Sequence, residues 1–500
     1  MRTISSHWIA GGLGRLQKTQ QGNKIWEVLI AMIRVEDVAD QAVVAKFYEA
    51  GQEHLFAEWD QLESSQRRTL LEDLHRIDLG FIQQLIRDHF DSDAAQAPIA
   101  APSPARWIPL DDPSRHRAHE TGLEALRRGE VGILLVAGGV GTRLGHPGPK
   151  GAYPLLPISG TTLFQIFAES LQRLQRNVGK KIHWLIMTSP SNHEETKEYF
   201  LEHSFHGLSP SQVSILPQQQ LPVLDPRRGK ILREEPGRIL FSPDGHGGAI
   251  RLLQREASQL RAKGIRHIYS HQVDNPLAWI GDPELIGLHI SERSVFTSKA
   301  VAKTDPDEKV GVFCQVGDRL RVIEYSELGT EDRQAVDDKG NLSFRAGNIA
   351  THVIDLDFIA PAGDGAVLQL PFHLARKSVR HWKDGQWQQS KMANSARFET
   401  FIFDVLPLAE RALVVQASRE LEFSPVKNGT GVDSPDTCRA SLQRLWGQWL
   451  IEAEVPLSLD QDGIPDRVVE ISPLVAGNAE ELKRYLTQFE IAEEGPILLR

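Results

Sequence analysis

Apolar residues keep a helical rhythm in the first hundred positions of this chain, then give way to short apolar runs alternating with helical stretches. "VEDVADQAVVAKFYEAGQEHLFAEWDQL" sets Val43, Val44, Phe47, Leu55 and Trp59 at loosely helical intervals without a proline. "SSQRRTLLEDLHRIDLGFIQQLIRD" continues with Leu70, Leu71, Leu74 and Ile77 on one face. Residues 1–31 have irregular apolar spacing and read as a poorly structured, dispensable extension, with Met32 a possible start of translation. "SDAAQAPIAAPSPAR", Ser92 to Arg106, reads as a linker. From about residue 130, "VGILLVA", "KIHWLIMTS" and "IRHIYSHQV" read as strands. "TTLFQIFAESLQRL", with Thr161 as its cap, "NHEETKEYFLEH" and "GAIRLLQREASQLRAKG" read as helices between them. Such alternation predicts a mainly parallel sheet covered on both faces. "VGVFCQVGDRLRVIEYSE" breaks the rhythm as a hairpin turning at Gly317-Asp318. The expected organisation is an extension (1–31), an N-terminal helical domain (32–105), a central α/β domain (106–385) and a C-terminal mixed region and domain (386–500).

Composition narrows the class. The 500 residues are 41% hydrophobic and 24% charged, as in a soluble globular protein of several domains. A formal net charge of −10 argues against a nucleic-acid coat but leaves room for a few local cations around an anionic small molecule. No apolar run approaches the roughly 18 residues of a membrane span. No secretion signal is evident, and two cysteines, Cys314 and Cys438, make no disulfide framework. A reducing, cytoplasmic setting is the expectation.

The densest chemistry follows the first central strand, in "LLVAGGVGTRLGHPGPKGAYPL". Loops at the carboxyl ends of parallel strands bind ligands. Gly138, Gly139 and Gly141 let backbone N–H groups approach an anion closely. Arg143 adds a fork of donors suited to phosphate oxygens, and Lys150 a point charge. The loop is not a P-loop, because Thr142-Arg143 follows Gly141 where Lys-Ser/Thr is required. Nor is it a dinucleotide fingerprint, because Leu144 stands where the third glycine belongs and Gly160 to Leu163 offers no acid for a ribose.

"AGGVGTRLG…PKG" resembles the signature loop of sugar-1-phosphate nucleotidyltransferases. Collinear segments extend the resemblance across roughly residues 45–475, among them "SGTTLFQIFAE", "PDGHGGAIRLL", "VDNPLA", "AGNIATHV", "FETFIFD" and "LEFSPVKN". They resemble the eukaryotic-type UDP-sugar pyrophosphorylases, nearest to the N-acetylhexosamine branch. The resemblance implies a Rossmann-like, GT-A-like mixed α/β sheet with an N-terminal helical domain and a smaller C-terminal domain. The implied reaction joins UTP to a sugar 1-phosphate, releasing pyrophosphate, with Mg²⁺ or another divalent cation on the phosphates.

By resemblance, Ala137, Gly138 and Gly139 lie against the uridine, and Gln218 and Gly245 read or pack on the uracil. Arg143, Lys150 and Lys427 neutralise phosphate charge. Arg397 falls where the family usually has a lysine, so its nucleotide role rests on a fork rather than a compact charge. Asp274, after "IRHIYSHQV", matches the metal-binding acid, a role suited to a hard cation bridging phosphates. Glu324, Tyr325 and Asn348 match sugar-binding positions, and Phe401 and Phe403 line the sugar pocket. Taken alone, Asp274 reads as a cap or turn residue, Asn348 as a strand-end turn residue, and the two phenylalanines equally as core.

His246 departs from the pattern. N-acetylhexosamine enzymes typically read "PDGNGG" and glucose enzymes "GHGD"; this chain reads "PDGHGG". N-acetylglucosamine 1-phosphate is the implied sugar substrate. Glucose 1-phosphate or a broad sugar range is the alternative, and a non-catalytic sugar-nucleotide sensor is the rival of another class.

Overall fold

Three helices open the described chain: α1 (Val38–Glu49), α2 (Ser64–His75) and α3 (Leu79–Phe90). The computed structural model describes residues 32–90, 101–363, 365–489, 491–492 and 494–500. The expected extension 1–31 therefore lies outside the described residues. Asp37 caps α1 by accepting from Ala39 N and Asp40 N at 2.8 and 3.0 Å. The stretch expected to continue through 64–88 breaks between His75 and Leu79, where Asp78 Oδ1 accepts from Phe81 N at 3.0 Å. An Asp that competes for backbone donors restarts a helix rather than extending one.

The described chain divides into two units. One joins these helices to residues 220–242 and 372–399; the other holds 101–219, 243–371 and 400–500. This division differs from the expected boundaries at 105/106 and 385/386. The reason is packing: three twelve-residue helices leave an apolar face open, and Leu224, Ile231, Ile239 and Phe398 from the inserted segments close it over Phe47, Leu70 and Leu85. Ser103–Pro104, read as part of a linker, instead pairs antiparallel with Gln315 and Cys314.

The larger unit is built on strands β1 (Val131–Val136), β2 (Trp184–Thr188), β3 (Val213–Pro217), β4 (His267–Gln272), β5 (Phe296–Ala302), β6 (Val312–Val316), β7 (Arg319–Ile323), β8 (Ala346–Asp355) and β9 (Ala412–Gln416). Neighbours run β6-β8-β4-β1-β2-β3, with β7 on β6 and with β5 between β8 and β9. β4, β1, β2 and β3 are mutually parallel, as are β5 and β9. β8 runs antiparallel to β4, β5 and β6, so the sheet is mixed rather than mainly parallel. The hairpin expected at Gly317-Asp318 is β6–β7.

All six residues of β1 are buried, which requires cover on both faces. Helix α4 (Leu163–Val178) supplies one layer through Phe164, Phe167, Leu171 and Leu174, each worth about 1.5–3 kcal/mol on full burial. Its cap is Thr162, not Thr161, because Thr162 Oγ1 accepts from Gln165 N at 3.2 Å. Helix α5 (His193–Glu202) follows β2, and α6 (Gly248–Ala262) precedes β4. Helix α7 (Pro283–Ser291) precedes β5. C-terminal helix α8 (Pro435–Glu452) joins the same core through Cys438, Leu442 and Trp446, so the residues after 400 belong to the larger unit. Cys314 in β6 and Cys438 in α8 are buried and free. Among the described residues no helix is long and apolar enough to cross a membrane.

Candidate active site

Register fixes where the site lies. Val136 pairs with Gln272 and Met187, and Thr188 with Pro217, so β1 to β4 end together on one edge. Four segments leave that edge: the glycine loop, Ser189–Asn192, Gln218 and Asp274. β1 has β2 on one side and β4 on the other, so the strand order reverses between β1 and β4. Ligands of open α/β sheets bind at such a reversal. The glycine loop and Asp274 flank it.

The loop is held by its own backbone and by one side chain. Lys150 N donates to Gly139 O at 3.1 Å, and Gly141 N to Gly148 O at 2.9 Å. Asn192, 1% exposed, donates from Nδ2 to Ala137 O and Gly139 O at 3.0 and 3.1 Å. Its Oδ1 accepts from Ser189 N at 2.9 Å. Asn192 was not among the expected residues, although its place just past β2, on the ligand edge, was the signal.

Gln218 stands across from the loop. A Cβ on Gly138 would lie 2.8 Å from Gln218 Oε1, so only glycine admits this approach. Gln218 Nε2 donates to Asp244 Oδ1 and Gly245 O at 3.1 and 3.2 Å. Gly245 has φ +82°, a turn that returns the chain into α6. Asp244, 1% exposed, pairs with Arg251 of α6. Burial pushes its carboxyl pKa up against the opposing pull of Arg251. The structure thus brings Ala137, Gly138, Gly139, Gln218 and Gly245 together and adds the unexpected Asp244–Arg251 pair as their support.

The charged residues converge at the reversal point. Burial lowers the Lys150 ammonium pKa, Asp274 raises it, and Arg143 and Lys427 lower it further. Lys150 therefore feels one carboxylate and two further cations. Lys150 Nζ also donates to Val426 O at 3.3 Å. Val426 N donates to Asp274 O at 2.7 Å, which docks the 425–429 segment on the end of β4. A Cβ on Gly429 would lie 2.8 Å from Arg143 O, so the segment also closes on the glycine loop. Lys427 Nζ lies 3.5 Å from Asp433. Asn275 completes the joint: Nδ2 donates to Glu422 O at 2.7 Å, and Oδ1 accepts from Ser424 N at 3.1 Å. Beneath it, Lys299 is 1% exposed and paired with Asp282 at 2.7 Å and with Glu422. Burial alone would lower the Lys299 pKa, but the two carboxylates outweigh it and hold the ammonium charged.

The expected sugar residues form two groups. His246 packs on Phe401 and Phe403 at ring distances of 5.3 and 5.5 Å, and the two phenylalanines stack at 5.2 Å. His246 Nδ1 accepts from Ile402 N at 3.2 Å, which places the neutral ring's proton on Nε2. Glu324 and Asn348 meet around Gly311: a Cβ there would lie 3.3 Å from Glu324 Oε1, and Asn348 N donates to Gly311 O at 2.8 Å. Burial raises the Glu324 carboxyl pKa, and Glu327 adds to it. Tyr325, partly buried, follows Glu324 directly. Asn348 sits inside β8, not at a strand end. Arg397 belongs to the other unit, on the strand Ser395–Glu399 opposite Ala375.

Four likenesses bear on this arrangement. Residues 82–432 match the model of the UTP–glucose-1-phosphate uridylyltransferase family. UDP-N-acetylglucosamine diphosphorylase 1 of Arabidopsis thaliana is 33% identical over 89% of this chain and 90% of its own. UDP-N-acetylglucosamine pyrophosphorylase of Saccharomyces cerevisiae is 34% identical over 88% and 96%. The fold is that of the Trypanosoma brucei uridine diphosphate N-acetylglucosamine pyrophosphorylase crystallised with an inhibitor. There the TM-score is 0.77 at 24% identity, over 94% of this chain and 99% of that one.

Proposed function

Since the chain belongs to the UTP–glucose-1-phosphate uridylyltransferase family, whose members transfer uridylyl groups, we propose that its reaction is UTP plus N-acetylglucosamine 1-phosphate to UDP-N-acetylglucosamine plus pyrophosphate. The observation that carries this reading is the gathering of Asp274, Arg143 and Lys427 around Lys150 at the strand-order reversal. A phosphate oxygen of the sugar phosphate attacks the α-phosphorus of UTP in line, and the bond to the departing pyrophosphate oxygen breaks. No residue need become covalently attached, so the chain's task is positioning and charge neutralisation. Gly138 admits the base edge-on to Gln218. Arg143 takes phosphate oxygens as a fork, while Lys150 and Lys427 act as point charges. Glu324 and Asn348 accept and donate to sugar hydroxyls.

Asp274 fits a divalent cation. Mg²⁺ is commonly held by one or two carboxylates with substrate phosphates and water completing its shell, and Asp274 supplies such a carboxylate among the cations. When bound, the ion neutralises phosphate charge. Two further cations beside Lys150 and that carboxylate favour catalysis over the sensor reading, because a sensor has no need to neutralise a departing pyrophosphate. Two buried free cysteines accord with a reducing cytoplasm.

The sugar is decided by a panel of sugar 1-phosphates, with pyrophosphate release from UTP as the readout. N-acetylglucosamine 1-phosphate will be used, and glucose 1-phosphate measurably so. Asparagine at 246 offers an acceptor to Ile402 N in a smaller side chain, leaving more room for an acetyl group beside Phe401 and Phe403. His246→Asn is therefore expected to shift kcat/KM toward the N-acetylated sugar by about 1–3 kcal/mol, roughly 5- to 150-fold. A wild type that uses glucose 1-phosphate alone, unaltered by His246→Asn, overturns both the sugar and the role of His246.

A further inference from the structure

At the opposite end of β4 from Asp274, two imidazoles and a carboxylate face one another. His267 begins β4, Asp355 ends β8 directly across from it, and His289 projects from α7. One ligand atom from each lies within 4.8 Å of the other two. His267 Nδ1 stands 3.8 Å from Asp355 Oδ2, too far for a hydrogen bond and close to the roughly 3.4 Å that separates two ligands of one tetrahedral zinc. The rings of His267 and His289 are 5.1 Å apart at 82°.

Two buried nitrogens here have no hydrogen-bond partner among the described residues: His267 Nδ1 and His289 Nε2. His289 is 1% exposed, so its Nε2 has no ready access to bulk water either. Its other nitrogen, Nδ1, meets Thr297 Oγ1 at 3.0 Å. A hydroxyl that accepts from Nδ1–H fixes the ring's orientation and leaves the Nε2 lone pair aimed at the cluster, the outer-shell arrangement of metal-binding histidines. Asp355 is divided in the same way. Its Oδ1 accepts from Asp357 N and Phe358 N at 2.8 and 3.1 Å, leaving Oδ2 toward His267. Another acid acting on His267, Glu130, is engaged by Arg128 at 2.9 Å. Asp355 and His267 are 28% and 15% exposed, which provides an entry path and room for a water as fourth ligand.

We infer that His267, His289 and Asp355 form a binding site for a borderline-soft divalent ion of the Zn²⁺ class, separate from the phosphate site. Two imidazoles and one carboxylate suit zinc, whereas Mg²⁺ prefers oxygen donors. His267 and Gln272 lie at opposite ends of β4, about 17 Å apart at 3.3 Å per residue, and Asp274 lies past Gln272, so no substrate phosphate bridges the two sites. The ion would tie the start of β4, the end of β8 and helix α7 together behind the active edge, acting on stability rather than on the reacting phosphates.

The test uses the full chain, stripped with a chelator and titrated with Zn²⁺ in excess Mg²⁺, which saturates the oxygen-donor site. One equivalent of Zn²⁺ is expected to bind and to raise Tm, and Co²⁺ in its place to give the visible absorption of a four-coordinate nitrogen-oxygen site. Asp355→Asn keeps the capping oxygen but removes the charge. It should leave the metal-free Tm near wild type, weaken Zn²⁺ at least about tenfold and abolish the rise in Tm. His267→Gln should do the same, and both variants leave the buried His289 in place. Failure of the wild type to bind Zn²⁺ or Co²⁺, or affinity unchanged in both variants, overturns the site.

Discussion

Lys150→Ala is expected to lower turnover by about 10²–10³, the effect of losing one charge-assisted contact that strengthens as phosphate charge develops. The fold should survive the change. Burial lowers the Lys150 pKa, and Arg143 and Lys427 push it further in the same direction against Asp274. A lysine whose folded pKa lies below its unfolded value costs stability wherever it is charged. That cost is full below the folded pKa and fades as pH rises past the unfolded one. Removing Lys150 at neutral pH therefore relieves its burial cost and the repulsion from Arg143 and Lys427, while it forfeits the attraction of Asp274 and the hydrogen bond to Val426 O, the latter about 1 kcal/mol. The signature is a large loss of kcat with Tm at or near the wild-type value. Wild-type activity should also fall at a lower alkaline pH than an ordinary lysine would produce. Near-normal turnover in both Lys150→Ala and Arg143→Ala would remove the phosphate assignment.

Asp274→Ala should be comparably severe, by about 10²–10³ in turnover if the carboxylate holds an ion that stabilises developing charge. Its removal leaves Lys150 without the carboxylate that offsets Arg143 and Lys427. Nucleotide could therefore still bind, and even bind more tightly, while the chemistry fails. The measurement is kcat and UTP affinity across a titration of Mg²⁺. A loss confined to kcat, with a raised metal requirement, supports the assignment. Full activity with an unchanged metal requirement takes Asp274 out of the mechanism.

Much of this site was legible because its residues follow strands whose apolar runs are unmistakable. "VGILLVA" and "IRHIYSHQV" placed the glycine loop and Asp274 at strand ends, and the collinear motifs pointed to Gln218, His246 and Lys427. The supporting residues were not legible. Asn192, Asp244 and Lys299 are polar groups whose partners lie far along the chain or on the next loop, and burial is what makes them indispensable. The division into units was hidden for a related reason. Leu224 and Phe398 read as strand residues in any setting, and nothing in their local pattern says that they close a core begun by Phe47 and Leu70. Thr162 rather than Thr161 as the cap is a one-residue difference decided by a hydrogen bond to Gln165 N.

The docking of the 425–429 segment against Arg143 and Asp274 gives the site a chronology. The glycine loop leaves the ribosome first, and Lys427 follows about 280 residues later, roughly 15–55 s at ordinary rates of synthesis. Until then Arg143 and Lys150 lack the lysine and the backbone that complete their charge cluster, and Asn275 lacks the segment it pins. On the proposed reading, a nascent chain already holding β1 to β4 has its glycine loop and Asp274 but gains the last of its phosphate-neutralising charges only when its synthesis is nearly finished.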